Sequence, residues 1–194
     1  MTYKKRRERE EIEQEGVPYI ITAMIHVPWL KIQLDDINMV TSKEEQILGI
    51  DYIIKTEEDI IYIDSKYHTY KSADDLISIE ITKANGVRGW GIDSTLATDY
   101  IIDFYNTPAY TGYYVLDCHK LHTYMQENYS KYSILYSNVG HEDYRGVPVK
   151  DLWLAGVIIN AFRWDYNMAI YKEQLQFQLW YKNNIASKLP LLLH

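Results

Sequence analysis

Two isoleucine-rich runs joined by a short acidic turn constrain the fold of this chain more than any other feature. The runs cover residues 50–56 and 60–67, and the turn between them covers residues 57–59. Alternating β-branched and aromatic residues around a tight polar turn are typical of a β-hairpin. The sequence therefore predicts two antiparallel strands within residues 50–67.

Ionisable side chains inside this hairpin predict a functional site. Asp64 and Lys66 lie on one face of the second strand because strand side chains alternate, and the hairpin brings Asp51 of the first strand near them. Charges in strands built for burial are costly unless they are paired or bind a metal. Asp51 and Asp64 can hold Mg²⁺ or Mn²⁺, while Lys66 can orient water or neutralise charge on a phosphoryl group. The alternative is a partly exposed ion pair without a chemical role.

The rest of the sequence predicts further strands and helices. Thr41 or Ser42 followed by acidic residues starts a helix that Gly49 ends. Strands are predicted at 30–34, within the apolar stretch 18–34, and at 76–82, 99–105 and 112–116; helices are predicted at 118–129, 149–161 and 165–182.

The hairpin with its charges resembles the catalytic signature of the PD-(D/E)XK nucleases, the restriction-endonuclease-like superfamily. The matching residues are Gly49-Ile50-Asp51, ten intervening residues, and Tyr62-Ile63-Asp64-Ser65-Lys66. Ile50 stands where the family signature has proline. The resemblance implies an α/β fold with an αβββαβ core, in which helices flank a central mixed β-sheet. It covers about residues 40–130 of an expected single nuclease-like domain, 1–194, with residues 1–15 as an exposed charged arm.

The same resemblance implies roles for individual residues. Asp51 and Asp64 match the two acidic metal ligands, Lys66 matches the catalytic lysine, and Glu45 matches an acid that some members add from a helix. Glu45 is explained equally well as a first-turn helix acid favoured by the helix dipole. Glu80 is a further candidate on the third strand, and a solvent-facing position would explain it as well.

Charge and composition bear on the partner. The chain of 194 residues has a net charge of −7, and residues 41–80 alone hold ten acidic and four basic residues. Such a local surplus of carboxylates fits a divalent cation, although solvated acidic turns give the same count. We expect an Mg²⁺- or Mn²⁺-dependent DNA endonuclease, of phage or mobile-element origin, acting on duplex or branched DNA as a homodimer. The alternative is a catalytically idle nuclease-like protein that acts as a binding or inhibitor protein, which the overall acidity favours.

The cysteine content, the apolar runs and the N-terminus bear on the cellular compartment. The single cysteine, Cys118, cannot form an intrachain disulfide, and the apolar runs are far shorter than a membrane span. The charged N-terminus has no apolar segment of the kind that a secretory signal needs. A cytoplasmic protein without a membrane partner is therefore expected.

Overall fold

The predicted hairpin lies within a six-stranded sheet. The computed structural model describes residues 15–57, 59–68, 76–83, 86–106, 111–136 and 143–164. The strands of this sheet follow the order β1-β2-β3-β5-β6-β9. They are β1 (Ile37–Met39), β2 (Tyr52–Lys55), β3 (Ile60–His68), β5 (Tyr100–Asn106), β6 (Thr111–Asp117) and β9 (Ile158–Trp164).

Strand directions make this central sheet mixed. β2 pairs antiparallel with β3, which confirms the predicted hairpin. β3 then pairs parallel with β5, and the remaining neighbours are antiparallel. A second sheet of order β4-β8-β7 is formed by β4 (Leu76–Thr82), β7 (Ile134–Tyr136) and β8 (Asp143–Pro148).

Helices flank the central sheet. α1 is described over residues 15–25 and is followed by α2 (Lys43–Ile47), α3 (Cys118–Asn128) and α4 (Val149–Leu154). Short 3-10 turns occupy Leu34–Asp36 and Tyr129–Lys131. The protein is therefore an α/β structure with a mixed central sheet between helices.

Two apolar clusters cover the two faces of the central sheet. On one face, α1 packs on residues that include Ile54, Ile63 and Phe104. On the other face, α3 and the inward side of β4 pack on Ile101 and Leu116. Burial on both sides explains why β5 is apolar along most of its length.

The segment 18–34 was predicted to be β-rich with a strand at 30–34, and this is wrong. Residues 15–25 form α1, and residues 30–34 contain no strand. Val17, Ile20, Ile21 and Met24 are all buried, and their spacing of three and four residues is that of one helix face. Packing against the sheet thus outweighs the weak preference of isoleucine for strands.

Other predicted elements differ from the structure or lie outside the described residues. The helix predicted at 149–161 ends at Leu154, because Gly156 has a φ of +68° and turns the chain into β9. The predicted strand 76–82 is present as β4 but joins the second sheet instead of the hairpin. The predicted helix 165–182 and nearly all of the N-terminal arm lie outside the described residues. In the described part of the chain, no helix is long and apolar enough to cross a membrane.

Close packing between β4 and the loop after it makes Gly91 a sensitive position. A Cβ atom on Gly91 would lie 2.1 Å from Cγ2 of Ile79 and 2.9 Å from the carbonyl oxygen of Glu80. We expect Gly91→Ala to lower the free energy of unfolding by roughly 1–3 kcal/mol in urea titrations. Ser94→Ala, an exposed change in the same loop, is the control. Equal stability of the two variants would contradict this packing.

Candidate functional site

Asp51 is fixed at the start of β2 by the helix and turn that precede it. Ser42 caps α2, and Gly49 adopts a φ of +77°, a left-handed conformation that favours glycine, where the chain turns toward β2. The amide of Asp51 donates to the carbonyl of Ile63 at 2.8 Å. Its carboxylate Oδ2 accepts from the amide of Ser65 at 2.9 Å and from the Ser65 hydroxyl at 2.7 Å. The carboxylate therefore has a fixed direction.

Asp64 and Lys66 form a close ion pair on β3. The Nζ of Lys66 lies 2.7 Å from Oδ1 and 2.6 Å from Oδ2 of Asp64. Asp64 is only 4% exposed, whereas the side chain of Lys66 is 27% exposed. The lysine thus bridges a buried carboxylate and the surface.

The structure brings Asp51 and Asp64 together, as the hairpin predicted. Tyr52 pairs with Ile63, so Asp51 lies one position further along, opposite Asp64. Burial raises the pKa of Asp64 to about 7; the Lys66 charge opposes this, whereas the Asp51 charge and a hydrogen bond between the two carboxyl groups add to it. Near neutral pH Asp64 is therefore present in both its protonated and its ionised form.

Lys66 remains charged in this environment. Burial alone would lower the pKa of Lys66, but attraction to Asp64, Asp51 and Glu80 outweighs it, and the net direction is upward. The ammonium also lies 5.7 Å from the centroid of the Trp90 ring, within the range of a cation–π contact. A permanent cation thus stands beside the two carboxyl groups.

Trp90 packs beside Lys66 and is held in place through its backbone carbonyl. Its side chain is nearly buried, and its carbonyl accepts from Nε2 of His122 at 2.9 Å. Burial lowers the pKa of His122, which favours the neutral ring with its proton on Nε2. Cys118 lies 3.3 Å from the same nitrogen, and burial raises its thiol pKa to about 12. These contacts make Trp90 a packing residue over Lys66, and make Cys118 a poor nucleophile.

Glu45 and Glu80 differ in their relation to the Asp64–Lys66 pair. Oε2 of Glu45 accepts from the Ser42 hydroxyl at 2.6 Å, and the amide of Glu45 donates to that hydroxyl at 3.2 Å, which is the contact of an N-cap. The Glu80 carboxylate accepts from the hydroxyl of Tyr144 at 3.1 Å, and its charge reaches Lys66. Glu80 thus acts on Lys66 electrostatically, while the observed contacts of Glu45 stabilise its own helix.

A second pair of ionisable side chains, His68 and Asp103, lies on the same sheet face and was not predicted from the sequence. Nε2 of His68 lies 2.8 Å from Oδ1 of Asp103, a residue with no exposed surface. In the parallel register, Lys66 pairs with Asp103. A detectable signal existed, since Asp103 interrupts the apolar run between Ile102 and Phe104.

The donors at Asp51 and Asp64 suit a hard divalent cation. Within the described residues, no three His, Cys, Asp or Glu side chains form a ready-made metal site. Mg²⁺ is commonly held by one or two carboxylates, with water and substrate phosphate as the other ligands. Two carboxyl groups that repel each other when both are charged fit that ligand set.

Comparison with known proteins assigns no family. No protein-family model matches the chain, and no curated protein matches it. Among solved structures, the chain is similar to the crystal structure of MepB, with 14% identity, a TM-score of 0.26, and coverage of 76% of this chain and 84% of MepB. A similarity at this level carries no functional argument.

The raised pKa of Asp64 predicts how stability depends on pH. The ordinary pKa of 3.8 applies to the unfolded chain and about 7 to the folded one, so the folded state binds the proton more tightly. This contribution to stability is present at low pH and is lost as the pH rises toward 7. Relative to Asp64→Asn, the metal-free wild type should lose on the order of 2–4 kcal/mol between pH 4.5 and 8.

Urea unfolding in EDTA at several pH values measures this difference. Other titrating groups are common to both proteins and largely cancel. Parallel stability curves for the wild type and Asp64→Asn would contradict a buried Asp64 with a raised pKa.

Proposed function

We propose that the protein is a metal-dependent nuclease that hydrolyses phosphodiester bonds in DNA. The observation that carries this proposal is the position of Asp51 opposite Asp64 on paired strands, with the ammonium of Lys66 on the Asp64 carboxylate. Two carboxyl groups and one cation are the groups needed to bind a metal and to stabilise charge on a phosphoryl group.

The proposal includes a restriction-endonuclease-like core. Its support is the order of α2, the β2–β3 hairpin and a strand, β5, that joins β3 in parallel. In that core, Asp51 and Asp64 are the metal ligands and Lys66 is the catalytic lysine. β4 departs from the αβββαβ order because it belongs to the second sheet.

Each residue of the site has a distinct task in this proposal. Asp51 and Asp64 would hold Mg²⁺ or Mn²⁺, which polarises a phosphoryl oxygen and lowers the pKa of a bound water. Ser65 fixes the direction of the Asp51 carboxylate through two hydrogen bonds. Lys66 offers positive charge to the phosphoryl oxygens, and Trp90 restricts where its ammonium can lie.

A catalytically idle binding protein is the second candidate. It is favoured by the contact of Lys66 with both carboxylate oxygens of Asp64, which occupies the atoms that a metal would need. Metal binding distinguishes the two candidates.

Metal should stabilise the folded protein if the first candidate is right. Binding to the native state at about ten times the Kd should raise the Tm by about 3–6 °C. We expect millimolar Mn²⁺ to produce such a rise in the wild type and Asp64→Asn to abolish it. Asp59→Asn, at an exposed acid of the hairpin turn, should keep it. An unchanged wild-type melting curve would favour the idle binding protein.

Cleavage tests the proposal directly. With Mg²⁺ or Mn²⁺, the protein should nick or cut at least one of plasmid, linear and branched DNA, and EDTA should stop the reaction. Lys66→Ala should lose on the order of a hundredfold or more in rate, because one preorganised charge is removed. Lys66→Met preserves most of the side-chain volume and should lose a similar amount. Lys55→Ala, at an exposed lysine of β2, is the matched control.

The outcomes separate the candidates. Activity that survives the changes at Lys66 would place the chemistry elsewhere. Inactivity of the wild type on both DNA and RNA would reject a nuclease and leave a binding protein.

A further inference from the structure

We infer that His68 is a stacking platform for an unpaired nucleobase, beside the carboxyl pair. The inference rests on the proposed function and specifies its substrate class. The protein would then take nucleic acid with an unpaired nucleotide next to the scissile phosphate, in place of an intact duplex.

The His68 ring is held in one orientation. Its Nε2 lies 2.8 Å from Oδ1 of Asp103, and because a carboxylate only accepts hydrogen bonds, Nε2 carries the proton. Asp103 has no exposed surface, and its Oδ2 has no hydrogen-bond partner among the described residues. This contact holds the part-exposed ring of His68 in one orientation.

One face of the ring is already stacked. The rings of His68 and Tyr105 are 4.7 Å apart with an interplanar angle of 19°, and Tyr114 packs edge-on against Tyr105 at 6.1 Å. The side chain of His68 is nevertheless 25% exposed. Among the described residues, this aromatic stack ends at His68, where a further flat ring can extend it.

His68 lies in line with the carboxyl pair. Asp64, Lys66 and His68 alternate along β3 and share one face of the sheet. At the usual rise of a strand, His68 is about 6.5 Å from Lys66 and about 13 Å from Asp64 along β3. A nucleic-acid strand with one phosphate at Asp64 can therefore place a neighbouring base at His68.

Charge favours a base over a second phosphate at this position. Lys66 is the cation among four acidic residues on or beside this face of the sheet. These are Asp51, Asp64, Glu80 and Asp103. Asp103 also offsets any positive charge on His68. A neutral base that stacks on a ring avoids repulsion by these acids, and such stacking tolerates any base sequence. Bases become available for stacking only when they are unpaired or flipped out.

Fluorescence of 2-aminopurine tests the platform without any need for cleavage. A single-stranded oligonucleotide carrying 2-aminopurine and a matched duplex are titrated with the protein, once in EDTA and once in Ca²⁺. The wild type should bind the single strand more tightly than the duplex and quench the probe. His68→Ala should weaken single-strand binding by roughly tenfold to a hundredfold and remove the quenching, because one stacked base is lost.

His68→Phe separates stacking from polar contacts. It retains a flat ring but loses the hydrogen bond to Asp103, so it should keep clearly more affinity and quenching than His68→Ala. His119→Ala, at an exposed histidine of α3, should bind like the wild type. Melting curves of each variant verify that it is folded.

Several results would overturn the inference. These are equal loss in His68→Phe and His68→Ala, unchanged binding in His68→Ala, no preference for the single strand, or no wild-type binding in either buffer. Quenching by a wild type that cleaves nothing would reject the nuclease proposal and retain the platform. Cleavage with wild-type kinetics in His68→Ala would reject the platform and retain the nuclease proposal.

Discussion

The ion pair between Asp64 and Lys66 is the interaction on which the candidate site depends. The carboxylate is almost completely buried between the central sheet and the layer that contains Trp90, and a lone charge there would be very costly. Lys66 offsets that cost while its side chain stays part-exposed. Replacing Lys66 by a neutral residue would therefore remove the positive charge and also change the ionisation of Asp64.

The loop over the Asp64–Lys66 pair places Trp90 close to Lys66. Gly89 and Gly91 let the loop lie directly on β4, where their amides donate to the carbonyls of Ile81 and Glu80. A Cβ atom on Gly89 would come within 2.4 Å of the Glu80 carbonyl oxygen. The glycines on either side of Trp90 are thus explained by close backbone approach and do not indicate a phosphate-binding loop.

Local signals account for the parts of the fold that the sequence predicted. The Ser42 cap with Glu45, and the polar turn between two isoleucine-rich runs, each specify an element from nearby residues alone. The failures involve distant contacts. Ile20 and Ile21 belong to a helix because its apolar face packs on the sheet, and the choice of β8 as the partner of β4 joins segments about sixty residues apart. No short window of sequence contains that information.

In the candidate site, too, local signals predicted some contacts and missed those between distant segments. Strand alternation sufficed to place Asp64 beside Lys66, and the hairpin turn sufficed to place Asp51 opposite them. Asp103 comes close through a parallel pairing of β3 with β5, which no turn specifies. Yet Asp103, like Asp64, is a carboxylate inside a strand with apolar neighbours. An ionisable residue within a buried strand needs a partner, and in this chain that requirement leads from Asp103 to His68.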